Sequence, residues 1–142
     1  MALVFVYGTL LRGEANHGLL RTARTVDDRA SVRGVLYDTG DGYPALALDE
    51  ASDRPVAGEV YEVDAPTLAA LDELEDYFGP GDPRNLYERL EVEASGERGT
   101  YRALVYAFPR ARAAACRPIP QADWRAYRRK SAPERRNAAS ES

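Results

Sequence analysis

Hydrophobic and polar positions divide this chain into short runs bounded by turn residues. "ALVFVY" (2–7) is apolar, rich in β-branched and aromatic side chains, and stops at Gly8. That composition over so few residues predicts a buried strand. "GTLLRGE" reads as a loop, and "NHGLLRTA" as a short helix with Asn16 as its N-cap. "ASVRGVLYD" (30–38), apolar at Val32, Val35 and Tyr37, predicts a strand broken by a bulge at Gly34. "TGDGYP" is turn chemistry. "ALALD" and "VAGEVYEV" (56–63) predict two more strands. In the second, Val56, Gly58 and Val60 alternate with Glu59 and Tyr61, and Gly58 permits close backbone approach. "YERLEVEA" and "TYRALVYAF" flank "SGERG" and predict a hairpin. "QADWRAYRR" predicts a last short helix. Strands dominate without βαβ alternation, so the expected fold is α+β: a curved or barrel-like mixed sheet with helices outside it.

The clearest helical stretch is "DAPTLAALDELEDYF" (64–78), with Asp64 placed to cap it and Pro66 in its first turn. At ~100° per residue, Leu68, Leu71, Leu74 and Phe78 share one stripe. Glu73 falls opposite it, Asp76 outside it and Asp72 at its margin. Glu75 falls between Leu68 and Leu71, on or beside the apolar face. A carboxylate there must be paired, hydrogen-bonded or held with a raised pKa. Pairing is the commoner outcome; a raised pKa suits a general acid or base near neutrality. The segment "FVYGTLLRGE" is the second candidate. A strand running into Gly8 and Thr9 can present successive N–H groups to a carboxylate or oxyanion. Gly8 would supply an unusual dihedral and Gly13 a second turn. By itself, an ordinary strand-to-helix turn accounts for the same residues.

Composition narrows the class. With 142 residues, 44% hydrophobic and 30% charged, the chain is sized for one soluble domain. "KSAPERRNAASES" lacks apolar periodicity, so the expected organisation is a domain over 1–130 and a mobile tail over 131–142. A net charge of −4 argues against nucleic acid or an anionic membrane as partner. Cys116 is the one cysteine, which excludes an intrachain disulfide and fits a reducing, cytoplasmic setting. No run has the length of a membrane-spanning helix, and zinc-type Cys/His spacings are absent.

Taken jointly, "VYGTLLRG" (6–13), "NHGLL", "GYPAL" (42–46), "VAGEVYEV" (56–63), "LDELEDY" (71–77), "YERLEVEA" (87–94) and "ALVYAF" (103–108) resemble the γ-glutamylcyclotransferase-like family. Order and spacing hold over residues 3–127, and "DWRAY" (123–127) is similar to a C-terminal signature of bacterial members. The resemblance implies a small mixed β-barrel flanked by helices. It implies Glu75 as catalytic general acid/base and Tyr7, Gly8, Thr9 and Leu10 as the substrate-binding loop. It implies a small-molecule γ-glutamyl amine or γ-glutamyl amino acid whose α-amine attacks its own γ-carbonyl, releasing 5-oxoproline without cofactor or metal. The family often has Gly after this Glu; this chain has Asp76, which leaves local shape and substrate choice open. A non-catalytic small-carboxylate-binding or interaction module on the same fold is the competing reading. Oligomeric state is open.

Other residues carry weaker expectations. His17, the one histidine, is expected under the loop rather than on substrate. Tyr43 fits a pocket wall or a packed turn equally. Tyr87 and Arg89 alternate and are expected to face the same way. Trp124 and Tyr127 are expected on one packed face, with Arg125, Arg128 and Arg129 solvated.

Overall fold

The computed structural model describes residues 1–129. The expected tail at 131–142 lies outside them. Seven strands run in chain order: β1 Ala2–Val6, β2 Arg24–Asp38, β3 Pro44–Leu48, β4 Pro55–Val63, β5 Glu88–Gly96, β6 Thr100–Ala107 and β7 Arg117–Pro118. Helix α1 spans Ala65–Leu74 and α2 Arg110–Ala113, and residues 124–129 form a further helical segment.

β1 lies between β4, antiparallel to it, and β6, parallel to it. β6 pairs with β5 in the expected hairpin, and β5 returns to β2 through Ala30 opposite Gly96 and Ser31 opposite Ser95. β2 also pairs with β4, so β2, β4, β1, β6 and β5 close a five-stranded mixed barrel. The later part of β2 leaves the barrel wall to pair with β3 and β7. The fold is the α+β barrel flanked by helices that the sequence implies.

The core is apolar on both sides of the barrel wall. Val4, Phe5, Val56, Val60, Val63, Leu71 and Val105 are each 1% exposed or less. Gly58 sits where β4 passes over the end of β1. A Cβ there would stand 2.2 Å from the Val6 carbonyl oxygen and 2.5 Å from the Phe5 ring. The close approach expected of this glycine is therefore real.

Two local expectations need correction. β2 runs unbroken through Gly34, where a Cβ would meet the Ala47 carbonyl at 2.6 Å; the register shifts come instead around Asp27. Asp27 is buried there and accepts hydrogen bonds from the Arg29 and Arg98 N–H groups and from the Tyr101 hydroxyl, which fastens the β5–β6 turn to β2. Second, the "NHGLL" helix is one 3-10 turn, His17–Leu20, and Asn16 makes no cap bond with its side chain. On β4, Glu59 is buried among apolar neighbours, because the loop after β1 and the 124–129 helix cover that side.

Gly58→Ala should lower folding stability by about 3 kcal/mol, since the methyl meets backbone and a buried ring rather than a flexible side chain. Urea denaturation measures it, with Gly18→Ala, which adds a methyl to open space, as the neutral comparison.

Candidate functional site

The predicted helix of 64–78 is shorter than expected. Asp64 caps α1, accepting from the Thr67 N–H at 2.9 Å, but the helix stops at Leu74 with Glu75 as its C-cap. Asp76 then takes a left-handed backbone, φ 50°. The Tyr77 N–H donates to the Asp72 carbonyl (2.9 Å) and the Asp76 N–H to the Glu73 carbonyl (3.2 Å). This is a Schellman end, whose left-handed residue is usually Gly. The turn removes Phe78 from the helical face, and both Leu74 and Phe78 are exposed. The expected apolar stripe reduces to Leu71, Thr67 and the partly buried Leu68. Glu75 owes its position to the helix end rather than to that stripe.

The four clustered carboxylates separate by partner. Glu73 and Asp76 are exposed. Asp72 receives Arg89 on both oxygens (2.9 and 2.7 Å) and the Tyr106 hydroxyl on one (2.7 Å). Glu75 has no hydrogen bond or ion pair to its carboxylate among the described residues and points into a cavity of about 390 Å³. Burial, then the negative charge of Asp76, lift its pKa from 4.5 to about 7.

Tyr7, Gly8, Thr9 and Leu10 line the same cavity. Past β1, the loop folds back on itself. The Leu11 N–H bonds the Gly8 carbonyl (3.1 Å), the Asn16 N–H bonds the Thr9 carbonyl (2.8 Å), and the Asn16 amide donates to the Thr9 hydroxyl (2.9 Å). The N–H groups of Thr9 and Leu10 take no part in these turn or side-chain bonds among the described residues. Tyr7 differs: its hydroxyl donates to the Tyr106 carbonyl and accepts from the Leu46 N–H (3.3 Å), so it offers the cavity a ring. Gly8 has no positive φ; its lack of a side chain makes room for Pro44, whose Cγ would stand 2.5 Å from a Cβ. Gly13, at φ +86°, supplies the second turn as expected.

Tyr43, Pro44, Leu86, Tyr87 and Tyr106 complete the walls. Tyr87 donates to the Pro44 carbonyl at 2.7 Å and stacks obliquely on Phe108. Tyr87 lines the cavity; Arg89, opposite the cavity residue Tyr106 in the strand register, is held by Asp72 instead of entering it. Burial, with Glu75 as a lesser cause, raises the pKa of Tyr7, Tyr87 and Tyr106 and keeps these phenols neutral. Among the described residues the lining contains no Lys, Arg or His. His17 lies beneath the loop, its Nδ1–H bonding the Leu10 carbonyl at 2.9 Å. Sequence reasoning missed Tyr106 and Asn16 as wall residues; each read as an ordinary strand or cap position.

Residues 4–126 match the family model described as gamma-glutamyl cyclotransferase, AIG2-like. This chain belongs to that family. It is similar to a gamma-L-glutamyl-butirosin B gamma-glutamyl cyclotransferase from Niallia circulans, 44% identical over 128 residues, covering 90% of this chain and 78% of that one. It is also similar to human gamma-glutamylaminecyclotransferase, 41% identical over 85 residues, with 53% and 54% covered respectively. Among solved structures, YkqA of Bacillus subtilis superimposes with TM-score 0.73 at 28% identity, covering 92% of this chain and 42% of YkqA. A mouse AIG2-like protein gives TM-score 0.61 at 28% identity, covering 75% and 76%. The chain thus spans less than two thirds of the human protein and of YkqA. Asp76 occupies a left-handed position, where a Gly would sit without the Cβ penalty.

Two expected outcomes follow from the helix end. Asp76→Gly should raise stability by about 1 kcal/mol, because Gly takes φ > 0 without the Cβ penalty. It should also lower the Glu75 pKa below about 7, read by carboxyl-carbon NMR titration. Folding raises the Glu75 pKa, so the favourable contribution of that group is complete below 4.5 and lost as pH rises through about 7. Glu75→Gln should therefore be more stable than the parent above pH 7, by on the order of 2 kcal/mol, with the gap closing toward pH 5. Urea titrations at pH 5 and pH 8 measure it.

Proposed function

We propose that this chain is a γ-glutamyl cyclotransferase that releases 5-oxoproline from γ-glutamyl amines, with Glu75 as general acid/base. The observation that carries the reading is Glu75 itself: an unpaired carboxylate with a pKa near 7, in one cavity with the Thr9 and Leu10 N–H groups. Glu75 takes a proton from the α-ammonium of the γ-glutamyl group. The freed amine attacks the γ-carbonyl carbon and forms the lactam C–N bond. The bond to the departing nitrogen then breaks. Two protons pass in all from the attacking to the departing nitrogen, and Glu75 is placed to relay them. The N–H groups of Thr9 and Leu10 hold the substrate carboxylate or the developing oxyanion. Because nucleophile and electrophile belong to one molecule, proximity supplies much of the acceleration.

The cavity chemistry favours an amine leaving group. Among the described residues its walls carry two carboxylates, Glu75 and Asp76, and no cationic side chain, so a second carboxylate on the departing amine meets repulsion. The names of the Niallia and human relatives, a γ-glutamyl-butirosin cyclotransferase and a γ-glutamylamine cyclotransferase, agree with this reading.

The test is to supply γ-glutamyl amines, γ-glutamyl amino acids and glutathione and to quantify 5-oxoproline by mass spectrometry. The amines should give the highest kcat/KM. That ratio should rise with pH through about 7 and then level, as Glu75 becomes the free base. Glu75→Gln should lose roughly 100-fold or more. Product formation by Glu75→Gln equal to the parent would remove the base assignment. Binding of 5-oxoproline without any turnover would favour the small-carboxylate-binding module instead.

A further inference from the structure

We propose that Glu59 and Arg125 form a clasp that positions the Thr9 and Leu10 N–H groups, making the 124–129 helix a working part of the site. The inference rests on the cyclotransferase reading above. Glu59, on β4, is 2% exposed. Its Oε1 accepts the Arg12 N–H (3.0 Å) and the Tyr61 hydroxyl (2.9 Å); its Oε2 faces Arg125 at 3.2 Å. The other terminal nitrogen of Arg125 donates to the Arg12 carbonyl at 3.1 Å. One loop residue is thereby gripped at both its N–H and its C=O, from a barrel strand and from the last described helix.

The grip extends along the loop. Two residues before Arg12, the Leu10 carbonyl is held by His17, whose ring packs on Tyr61 at 5.8 Å. Two residues after it, Glu14 is paired with Arg128. Alternate positions 10, 12 and 14 are therefore each tied from outside, while Thr9 and Leu10 line the cavity. Neither Glu59 nor Arg125 lines it, so both are positioning residues. The expectation that Arg125 is merely solvated is corrected by these contacts, while Arg128 is exposed and pairs with Glu14 at the surface. Arginine is needed because one planar fork reaches a carboxylate and a carbonyl together; a lysine ammonium keeps the charge without the fork. Trp124, 3% exposed and stacked on Tyr127, seats the helix that carries the fork.

The experiment compares parent, Arg125→Met and Arg125→Lys, with Arg102→Met as a surface control that breaks only the exposed pair with Glu91. Thermal midpoint, kcat and KM on a γ-glutamyl amine, and the calorimetric Kd of 5-oxoproline are measured below every midpoint. Arg125→Met should lose about tenfold or more in kcat/KM and weaken 5-oxoproline comparably, while the acid limb of the pH profile stays in place because Glu75 is untouched. Arg125→Lys should regain the midpoint but not kcat/KM, and Arg102→Met should match the parent. The proposal is overturned if folded Arg125→Met stays within about twofold of the parent in both readouts, or if Arg125→Lys restores both fully. Should Arg125→Met fail to fold, Arg125→Lys decides alone by the same comparison. A parent that makes no 5-oxoproline overturns the underlying reading and this one with it; an active parent with insensitive variants overturns only the clasp.

Discussion

β2 is fifteen residues long and pairs with four other strands, and the rest of the molecule is arranged around that fact. Its first part pairs with β4 and closes the barrel on β5; its last part turns away to carry β3 and β7. Barrel closure leaves β1 between two neighbours, so the point where the chain leaves β1 is fixed from both sides. The β3 branch brings Pro44 and Leu46 against that same point. There the Tyr7 hydroxyl bridges the Leu46 N–H and the Tyr106 carbonyl, joining the branch to the barrel wall. The cavity is the space left between that junction and the end of α1.

Two features of the site are costly for folding and are held by their surroundings. Glu75 is a carboxylate drawn away from water with no partner among the described residues, and Asp76 sits in a backbone region that L side chains avoid. They reinforce each other, since the charge of Asp76 adds to the burial that raises the Glu75 pKa. Local strain beside a perturbed titrating group is the pattern expected where geometry serves chemistry rather than stability. The barrel core and the Schellman end supply the rigidity that keeps both in place.

Much of the fold was legible in the chain. The "SGERG" hairpin, the Asp64 cap, the "TGDGYP" turn and the "ALVFVY" strand depend on local chemistry and lie near where the pattern puts them. The errors came where distant segments decide. Gly34 looked like a bulge because a strand glycine usually marks one, yet its close neighbour is the β3 backbone. Alternation on β4 left the surroundings of Glu59 open; the loop after β1 and a helix some sixty residues later bury it. Helical periodicity singled out Glu75, but for an incomplete reason: the helix ends there, and its environment comes from the cavity.

By itself, the sequence determined the main strands, the β5–β6 hairpin, the capped start of α1 and the family to which the chain belongs. These rest on short-range propensities and on motifs a few residues long. Only the tertiary structure decided which of four clustered carboxylates is paired and which lines the cavity with a raised pKa, that Tyr7 presents a ring rather than a hydroxyl, and that Arg125 faces inward. Each of those depends on groups far apart in the chain: Arg89 and Tyr106 on Asp72, Leu46 and Tyr106 on Tyr7, Glu59 and the Arg12 backbone on Arg125. A local pattern reports what a residue is and its helical or strand phase. Burial and partnership, which set its charge and its chemistry, exist only once the barrel has closed.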